Sequence, residues 1–179
     1  MPMATTRKVW TLEEVHSLPD DGNKYELVRG ELFVTPPPTD EHETILARLT
    51  RLLDAFVAAH GLGFVYHPRA VIRFEGSEVE PDLMVRKPQS RPDASWDSAP
   101  VPTLVVEVIS GSTRRRDHEQ KKSLYMEAGV GEYWIVDPSR GTITVVRRGE
   151  ADRVERERVS WMPLGVSSAL IVQLPDVFG

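Results

Sequence analysis

Apolar and polar residues follow several different periods along the chain, and each period predicts one kind of element. The segment KYELVRGELFVT (24–35) alternates around Arg29-Gly30, which is typical of a β-hairpin. A long helix is predicted from Asp40, with Glu43 completing a capping box, to Gly61. We expect one broad face of this helix to be buried, formed by Ile45, Leu46, Leu49, Leu52, Leu53, Phe56 and Val57.

Shorter elements complete the predicted arrangement. Thr11 and Glu14 form a capping box for a helix at 12–17. The other predicted elements are strands at 63–66, 69–74, 81–85 and 103–109, a proline-rich surface loop at 86–102, a helix from about 118 to 128, strands on either side of the turn 137–141, a solvated strand or loop at 150–160, and an apolar tail at 169–178 that packs on the core. This order predicts an α/β fold, with a mixed β-sheet core flanked by helices, in a single domain over 1–179.

Composition narrows the classes of function. The 179 residues include no cysteine, which excludes disulfides and thiolate metal sites and favours a reducing cytoplasm. The N-terminal segment lacks the apolar run of a signal peptide, and no stretch approaches the roughly 18 apolar residues of a membrane span. The net charge of −5 argues against a general nucleic-acid coat protein but is compatible with a local basic groove.

Glu107 is the most unexpected polar residue, because it interrupts the apolar strand TLVVEVIS (103–110). An unpaired carboxylate in an apolar interior costs roughly several kcal/mol. Asp82 has a similar setting, directly after Pro81 at the start of an apolar strand. Carboxylates on neighbouring strands can converge, and without thiols they suit a hard cation such as Mg²⁺. Two structural explanations stay open: Asp82 caps a turn, or Glu107 pairs with an arginine or a lysine of the core.

A basic segment, STRRRDHEQKKSLY (112–125), follows the second acid. It fits either a solvated helix start or a patch that faces phosphates beside Glu107. On a helix, Lys121 and Tyr125 lie four residues apart and share a face, so a lysine there can fold back over the carboxylates. The basic residues of the segment are Arg114, Arg115, Arg116, Lys121 and Lys122.

These segments together resemble a known family. EPDLMV, LVVEVIS and RRRDHEQKKSLYMEAGVGEYWIVDP are similar to the PD-(D/E)xK nuclease superfamily and, more closely, to the Uma-two family of restriction-endonuclease-like proteins. The similarity extends from YELVRGEL (25–32) to YWIVDP (133–138), and the C-terminal tail matches only loosely. The resemblance implies a restriction-endonuclease-like sheet core and divalent-metal-dependent hydrolysis of phosphodiester bonds.

The resemblance also implies roles for individual residues. Asp82 matches the first acid of the superfamily motif, and Glu107 matches the second. The superfamily lysine would follow Glu107 by two positions, where this chain has Ile109. In the Uma-two family the lysine is displaced into the next helix, and Lys121 matches that position, with its neighbour Lys122 as the alternative.

Three further candidates accompany this set. Glu26, in YELVRGEL, matches an acid of the family's N-terminal block and is a candidate metal ligand. His42 matches a recurrent histidine in that block, and a packing role at the helix start is equally open. Tyr125, on the helix face of Lys121, is a further candidate.

The predicted mechanism is hydrolysis with Mg²⁺ or Mn²⁺. Asp82 and Glu107 hold the metal, helped by the backbone carbonyl of Val108, and Glu26 adds a ligand directly or through water. The metal lowers the pKa of a bound water and neutralises charge on the phosphate. Lys121 orients that water or stabilises the pentavalent phosphorane.

The expected partners are DNA and a second copy of the chain, with Arg114 to Arg116 in contact with the nucleic acid. The tail 169–178 and the loop around Trp96 are candidate protein contacts, and an unknown partner is an option for specificity. Two other classes of function stay open: a nucleic-acid-binding module without catalysis, and a structural or partner-binding protein. A carboxylate-pair glycosidase is disfavoured, since aromatic residues make up only 7% of the chain.

Overall fold

The computed structural model describes residues 8–91, 94–109 and 114–179, with the backbone alone at 114–117. Its helices are α1 (Leu12–His16), α2 (Asp40–Ala59), α3 (Arg114–Glu127) and α4 (Leu174–Phe178), and a 3-10 turn covers Trp96–Ser98. Its strands are β1 (Lys24–Val28), β2 (Glu31–Thr35), β3 (Phe64–Tyr66), β4 (Ile72–Phe74), β5 (Ser77–Val79), β6 (Leu83–Arg86), β7 (Leu104–Val108), β8 (Tyr133–Asp137), β9 (Thr142–Val146), β10 (Arg153–Glu155), β11 (Arg158–Trp161) and β12 (Leu170–Gln173).

The largest sheet has six strands in the order β10-β9-β8-β7-β6-β3. Its neighbours are antiparallel except β7 and β8, which run parallel. A parallel pair needs a long crossover connection, and α3 supplies it. A second sheet, β2-β1-β5-β4, contains the predicted hairpin, and β11 and β12 form a two-stranded ribbon. The predicted α/β fold with a mixed sheet is confirmed.

The two faces of β7 bury different side chains, as its alternating pattern predicts. Val106 and Val108 pack in an apolar cluster to which α2 and α4 contribute. Val105 packs in a second cluster, with Leu124 of α3 and residues of the four-stranded sheet. Glu107 follows Val105 by two positions, so its side chain points towards the second cluster and α3.

Two helix starts differ from the prediction. Thr39 is the N-cap of α2, because its hydroxyl accepts a hydrogen bond from the His42 amide. The predicted cap at Asp40, with Glu43 completing a capping box, is therefore wrong by one position. The backbone of α3 is already helical at Arg114, ahead of the predicted start near 118. The capping box of α1, with Thr11 and Glu14, is confirmed.

The segment 69–91 also departs from the prediction. The predicted strand 69–74 begins only at Ile72, and β5 was not expected at all. β5 has three residues with Glu78 at its centre, which is too short and too polar for a period to be visible. Trp96, expected on an exposed loop, is half-buried against the second cluster. The apolar tail packs as predicted, since Val172, Leu174 and Val177 belong to the first cluster.

Within the described ranges, no helix is both long enough and apolar enough to cross a membrane.

Candidate active site

Asp82 and Glu107 lie side by side where β6 begins and β7 ends. Leu83 pairs with Val106 in the antiparallel ladder, so the residue before Leu83 and the residue after Val106 come next in register. Oδ2 of Asp82 accepts a hydrogen bond of 2.9 Å from the Val108 amide. Both acids are buried, with exposures of 7% for Asp82 and 2% for Glu107. The structure therefore brings the two predicted acids together.

Two cationic groups contact Asp82. The Lys24 ammonium lies 3.2 Å from Oδ1 and also donates to the Glu80 carbonyl at 2.9 Å. His42 places Nε2 3.2 Å from Oδ2. Burial alone would raise the pKa of Asp82, but the His42 hydrogen bond and the Lys24 charge outweigh it and hold that pKa far below its usual range. Asp82 is therefore a carboxylate at neutral pH.

The same contacts act on the two cations. Burial alone would lower the pKa of Lys24, yet the charges of Glu26, Asp82 and Glu107 raise it above its ordinary value. Burial also opposes protonation of His42, yet its hydrogen bond to Asp82 raises the His42 pKa. Asp82 is thus an acid whose charge is balanced by side chains of β1 and α2, rather than the cap of a turn.

Glu107 is surrounded by side chains of α3. The Lys121 ammonium lies 3.2 Å from Oε1 and 3.1 Å from Oε2, and the Tyr125 hydroxyl donates to Oε1. His118 places Nδ1 3.4 Å from Oε2 and 2.8 Å from the Tyr133 hydroxyl. Burial, followed by the charge of Glu107, raises the pKa of Tyr125 well above its ordinary value, so its hydroxyl remains a donor. Of the two partners left open for Glu107, arginine or lysine, the structure has a lysine.

Glu26 is the third acid of the site, and it contacts the same Lys121 ammonium as Glu107. Its Oε2 lies 2.7 Å from Nζ of Lys121, and its Oε1 accepts a hydrogen bond of 2.8 Å from the Glu80 amide. Burial alone would lower the pKa of Lys121, but Glu107 and Glu26 raise it. Burial alone would raise the pKa of Glu26, but Lys121 and Lys24 lower it. Glu26 and Lys121 therefore form a charged, buried ion pair.

A small cavity joins these groups. Its volume is about 30 Å³, which is room for a water molecule or a bare ion. Its walls are formed by Lys24, Glu26, Phe33, Thr35, His42, Asp82, Glu107, Val108, His118 and Lys121. A groove of about 680 Å³ adjoins it and shares Lys24, Thr35, His42 and Asp82 as lining residues. The groove is therefore the approach to the carboxylates.

The remaining predicted residues lie elsewhere or contribute differently. Lys122 points away from the cavity and pairs with Asp152 at 2.5 Å. Val108 contacts Asp82 through its amide, and a role for its carbonyl as a metal ligand stays a prediction. The backbone of Arg114–Arg116 forms the first turn of α3, but these side chains lie outside the described residues.

Three residues of the site were not predicted from the sequence: Lys24, His118 and Tyr133. Two of them had a usable signal. His118 precedes Lys121 by three positions and therefore shares the helix face of Lys121 and Tyr125. Lys24 precedes Glu26 by two positions and therefore shares its strand face. Tyr133 opens an apolar strand and has no such signal.

Comparison with known families identifies the family of the chain. Residues 12–174 match the model of Uma2, a family described as "Putative restriction endonuclease". The chain belongs to the Uma2 family. The resemblance inferred from the sequence is therefore confirmed over most of the chain.

One solved structure similar to this Uma2 chain is described as "a putative nuclease belonging to DUF820 from Anabaena variabilis". It has a TM-score of 0.75 and 21% sequence identity, and the match covers 94% of this chain and 97% of that chain. At this level of identity the likeness shows that the fold is shared. A comparison with curated proteins gave no match.

Proposed function

We propose that this Uma2 protein is a divalent-metal-dependent endonuclease that hydrolyses phosphodiester bonds of DNA. The observation that carries the proposal is that Asp82 and Glu107 line one cavity, into which Lys121 also projects. Two carboxylates and a lysine at the end of a groove can organise hydrolysis of a phosphodiester. Membership of a family described as restriction endonucleases supports the same class of reaction.

The acids have the donor chemistry for Mg²⁺ or Mn²⁺. In residues 8–91, 94–109 and 114–179, no three His, Cys, Asp or Glu side chains are grouped as a ready metal site. Mg²⁺, however, is commonly held through one or two carboxylates and keeps several waters. Asp82 and Glu107 would supply two carboxylates, and Glu26 is the candidate for an additional one. When bound, the ion would activate a water and neutralise charge on the phosphate.

Lys121 would act as a cationic hydrogen-bond donor. Because Glu107 and Glu26 raise its pKa, its ammonium stays protonated and cannot serve as a general base. It lines the cavity, so it can donate to a phosphate oxygen as negative charge develops there. Tyr125 fixes Glu107 through its hydroxyl, and the Val108 amide fixes Asp82. These contacts hold both carboxylates in place before a substrate arrives.

The adjoining groove suggests where the DNA strand would lie. Its volume of about 680 Å³ is within the usual range for ligand sites, and it ends at Asp82 and His42. Arg114, Arg115 and Arg116 would add contacts to backbone phosphates near the start of α3. Cleavage of both strands would need two sites, so we expect a homodimer, and light scattering on the pure protein tests this.

A nucleic-acid-binding protein without catalysis is the second candidate. The observation that favours it is that the three acids already have cationic partners of their own: Lys24 and His42 at Asp82, and Lys121 at Glu107 and Glu26. When His42 is protonated, the three negative charges are matched by three positive charges without a metal ion. Salt-dependent DNA binding without cleavage in Mg²⁺ or Mn²⁺ would support this candidate.

The deciding experiment is DNA cleavage with Mg²⁺ or Mn²⁺ and with a chelator. We expect the wild type to cleave only with the metal, and Asp82→Asn and Glu107→Gln to lose at least about 100-fold in rate. Glu119→Gln, which changes an exposed acid of α3, is the matched control and should cleave like the wild type. Wild-type rates for both Asp82→Asn and Glu107→Gln, in pure preparations, would contradict the assignment.

A further inference from the structure

A second polar cavity lies at the far end of β6, around Arg86. Its volume is about 380 Å³, and it is lined by Tyr66, Arg86, Pro88, Gln89, Ala94 and Trp96. These residues line neither the carboxylate cavity nor its groove. Arg86 ends the strand that follows Asp82, so their Cα atoms are about 13 Å apart at roughly 3.3 Å per residue. The cavity is thus separate from the acids but within reach of the same ligand.

Arg86 is a buried cation without an anionic partner. Its side chain is almost fully enclosed, with an exposure of 3%. Its Nη1 donates to the Lys87 carbonyl at 2.9 Å, whereas its Nε is buried without a hydrogen-bond partner. In the part of the chain that the structure describes, no carboxylate pairs with this guanidinium. Buried arginines are ordinarily paired, so this one has charge and donor capacity left for a ligand.

Two aromatic rings hold the guanidinium in position. The Arg86 guanidinium carbon lies 3.9 Å from the ring centroid of Tyr66 and 5.5 Å from that of Trp96. Both rings are half-buried against the second apolar cluster, which restrains them. These contacts stabilise a cation but supply no negative charge. The cavity therefore combines ring surface with an uncompensated positive charge.

The 3-10 turn that carries Trp96 is held by local hydrogen bonds. The Ser95 hydroxyl accepts from the Asp97 amide and caps the 3-10 turn that begins at Trp96. Gln89, across the cavity, donates from its side-chain amide to the Ser95 carbonyl at 3.0 Å. Gln89 and the Trp96 turn are therefore held in place before any ligand binds, which reduces the entropy lost on binding.

We propose that this cavity is a nucleotide subsite that holds one unpaired nucleotide of a single-stranded segment. A nucleotide has both features that the cavity matches: a planar base that can stack on Trp96 or Tyr66, and an anionic phosphate that can neutralise Arg86. The subsite rests on the proposed nuclease function, since the strand to be cut supplies the nucleotide. Tyr66 is followed directly by His67, which lines the groove beside Asp82, so one strand can occupy both places.

The test measures binding without cleavage. A short fluorescein-labelled single-stranded oligodeoxynucleotide is titrated with chelator-treated protein, and its anisotropy gives the Kd. We expect Arg86→Met and Trp96→Leu each to raise the Kd by about tenfold or more, the range for loss of one stacked base. The matched controls are Arg153→Met, an exposed arginine of β10, and Trp10→Leu, and both should bind like the wild type.

Two results would overturn the subsite. One is an unchanged Kd for Arg86→Met and Trp96→Leu. The other is wild-type affinity for a fully abasic oligomer of the same length, because that strand keeps its phosphates but has no base to stack. Circular dichroism checks folding, and Trp96→Leu decides alone if Arg86→Met does not fold. Metal-dependent cleavage by the wild type is scored separately, so failure of the nuclease proposal is distinguishable from failure of the subsite.

Discussion

The ammonium of Lys121 lies 2.7 Å from Oε2 of Glu26. Lys121 belongs to α3, which connects two strands of the six-stranded sheet, and Glu26 belongs to β1 of the four-stranded sheet. The same ammonium lies 3.1 Å from Oε2 of Glu107. One buried cation therefore joins acids from both sheets, and its removal would leave two buried carboxylates with uncompensated charge.

Lys121→Met should therefore destabilise the metal-free protein and abolish cleavage. Breaking a buried ion pair by removing one partner costs about 3–5 kcal/mol in the free energy of unfolding. Lys122→Met is the matched control, because Lys122 pairs with Asp152 at a half-exposed position. Urea denaturation and DNA cleavage, measured on both variants, check the difference. Equal losses of stability and of cleavage from the two substitutions would show that Lys121 is not part of the active site.

Added Mg²⁺ should test whether a divalent cation can take the place of the Lys121 ammonium. In Lys121→Met, a divalent cation would replace the missing positive charge beside Glu107 and Glu26. We therefore expect Mg²⁺ to raise the Tm of this variant more than that of the wild type. The opposite order, or no shift in either protein, would argue against a cation site at these acids.

Glu107→Gln should abolish the heat of Mn²⁺ binding in isothermal titration calorimetry. The substitution keeps the shape of the side chain but removes its charge, so the loss of the heat reports the lost ligand. Glu119→Gln, on the exposed side of α3, should bind Mn²⁺ as the wild type does. Mn²⁺ binding that survives in Glu107→Gln would show that other residues hold the metal.

The contact between His42 and Asp82 predicts a pH-dependent stability. The folded-state pKa of His42 is raised above its value in the unfolded chain, so protonation of His42 stabilises the fold. This contribution is complete below about pH 6.5, the unfolded value, and is lost as the pH rises through the folded value. Asp82, with its lowered pKa, stays ionised across this window.

Denaturation of the wild type and His42→Gln in chelator checks this window. The difference in unfolding free energy between them should be largest at acidic pH and should shrink as the pH rises. In an Asp82→Asn background this stabilisation at acidic pH should become smaller, because Asp82 contributes more than Glu43 to raising the His42 pKa. A difference that stays constant from acidic to alkaline pH would show that the pair does not form.

The N-terminus of α2 gives a test of local structure. Thr39→Ala should cost about 1 kcal/mol in the free energy of unfolding, because the Thr39 hydroxyl caps the His42 amide. Asp40→Ala should cost less, because Asp40 lies inside the helix and contributes only through the helix dipole. Thermal denaturation of the two variants compares them. A larger loss of stability for Asp40→Ala than for Thr39→Ala would indicate that Asp40 is the N-cap, as predicted from the sequence.

The arginines at the start of α3 should govern the salt dependence of DNA binding. Replacing Arg114, Arg115 and Arg116 by alanine should reduce the slope of log K against log salt by about 2–3, if each contacts one phosphate. Replacing the exposed arginines Arg153, Arg156 and Arg158 removes the same charge and serves as the control. Equal slopes for the two triple variants would show that the change in salt dependence comes from net charge alone.

Local pattern was sufficient for most of the fold. The alternation in 24–35 predicted the hairpin around Arg29-Gly30, which the structure has with Val28 opposite Glu31, and the pattern of β7 predicted its two faces. These features depend on the face of the strand to which each side chain points. Side chains two positions apart point to the same face, so the faces can be read from the sequence. β5 and the cap of α2 were not found correctly, because three residues carry no visible period and neighbouring Thr and Asp are both good caps.

The sequence by itself thus determined the order of elements, the family and the two acids at the junction of β6 and β7. Only the tertiary structure decided what surrounds those acids. It placed Lys121 beside Glu107 and Lys122 beside Asp152, brought Lys24 and His42 to Asp82, and placed His118 beside Glu107. The reason is physical: these contacts join segments far apart in the chain, and their geometry arises only when two sheets and a helix pack around buried charge.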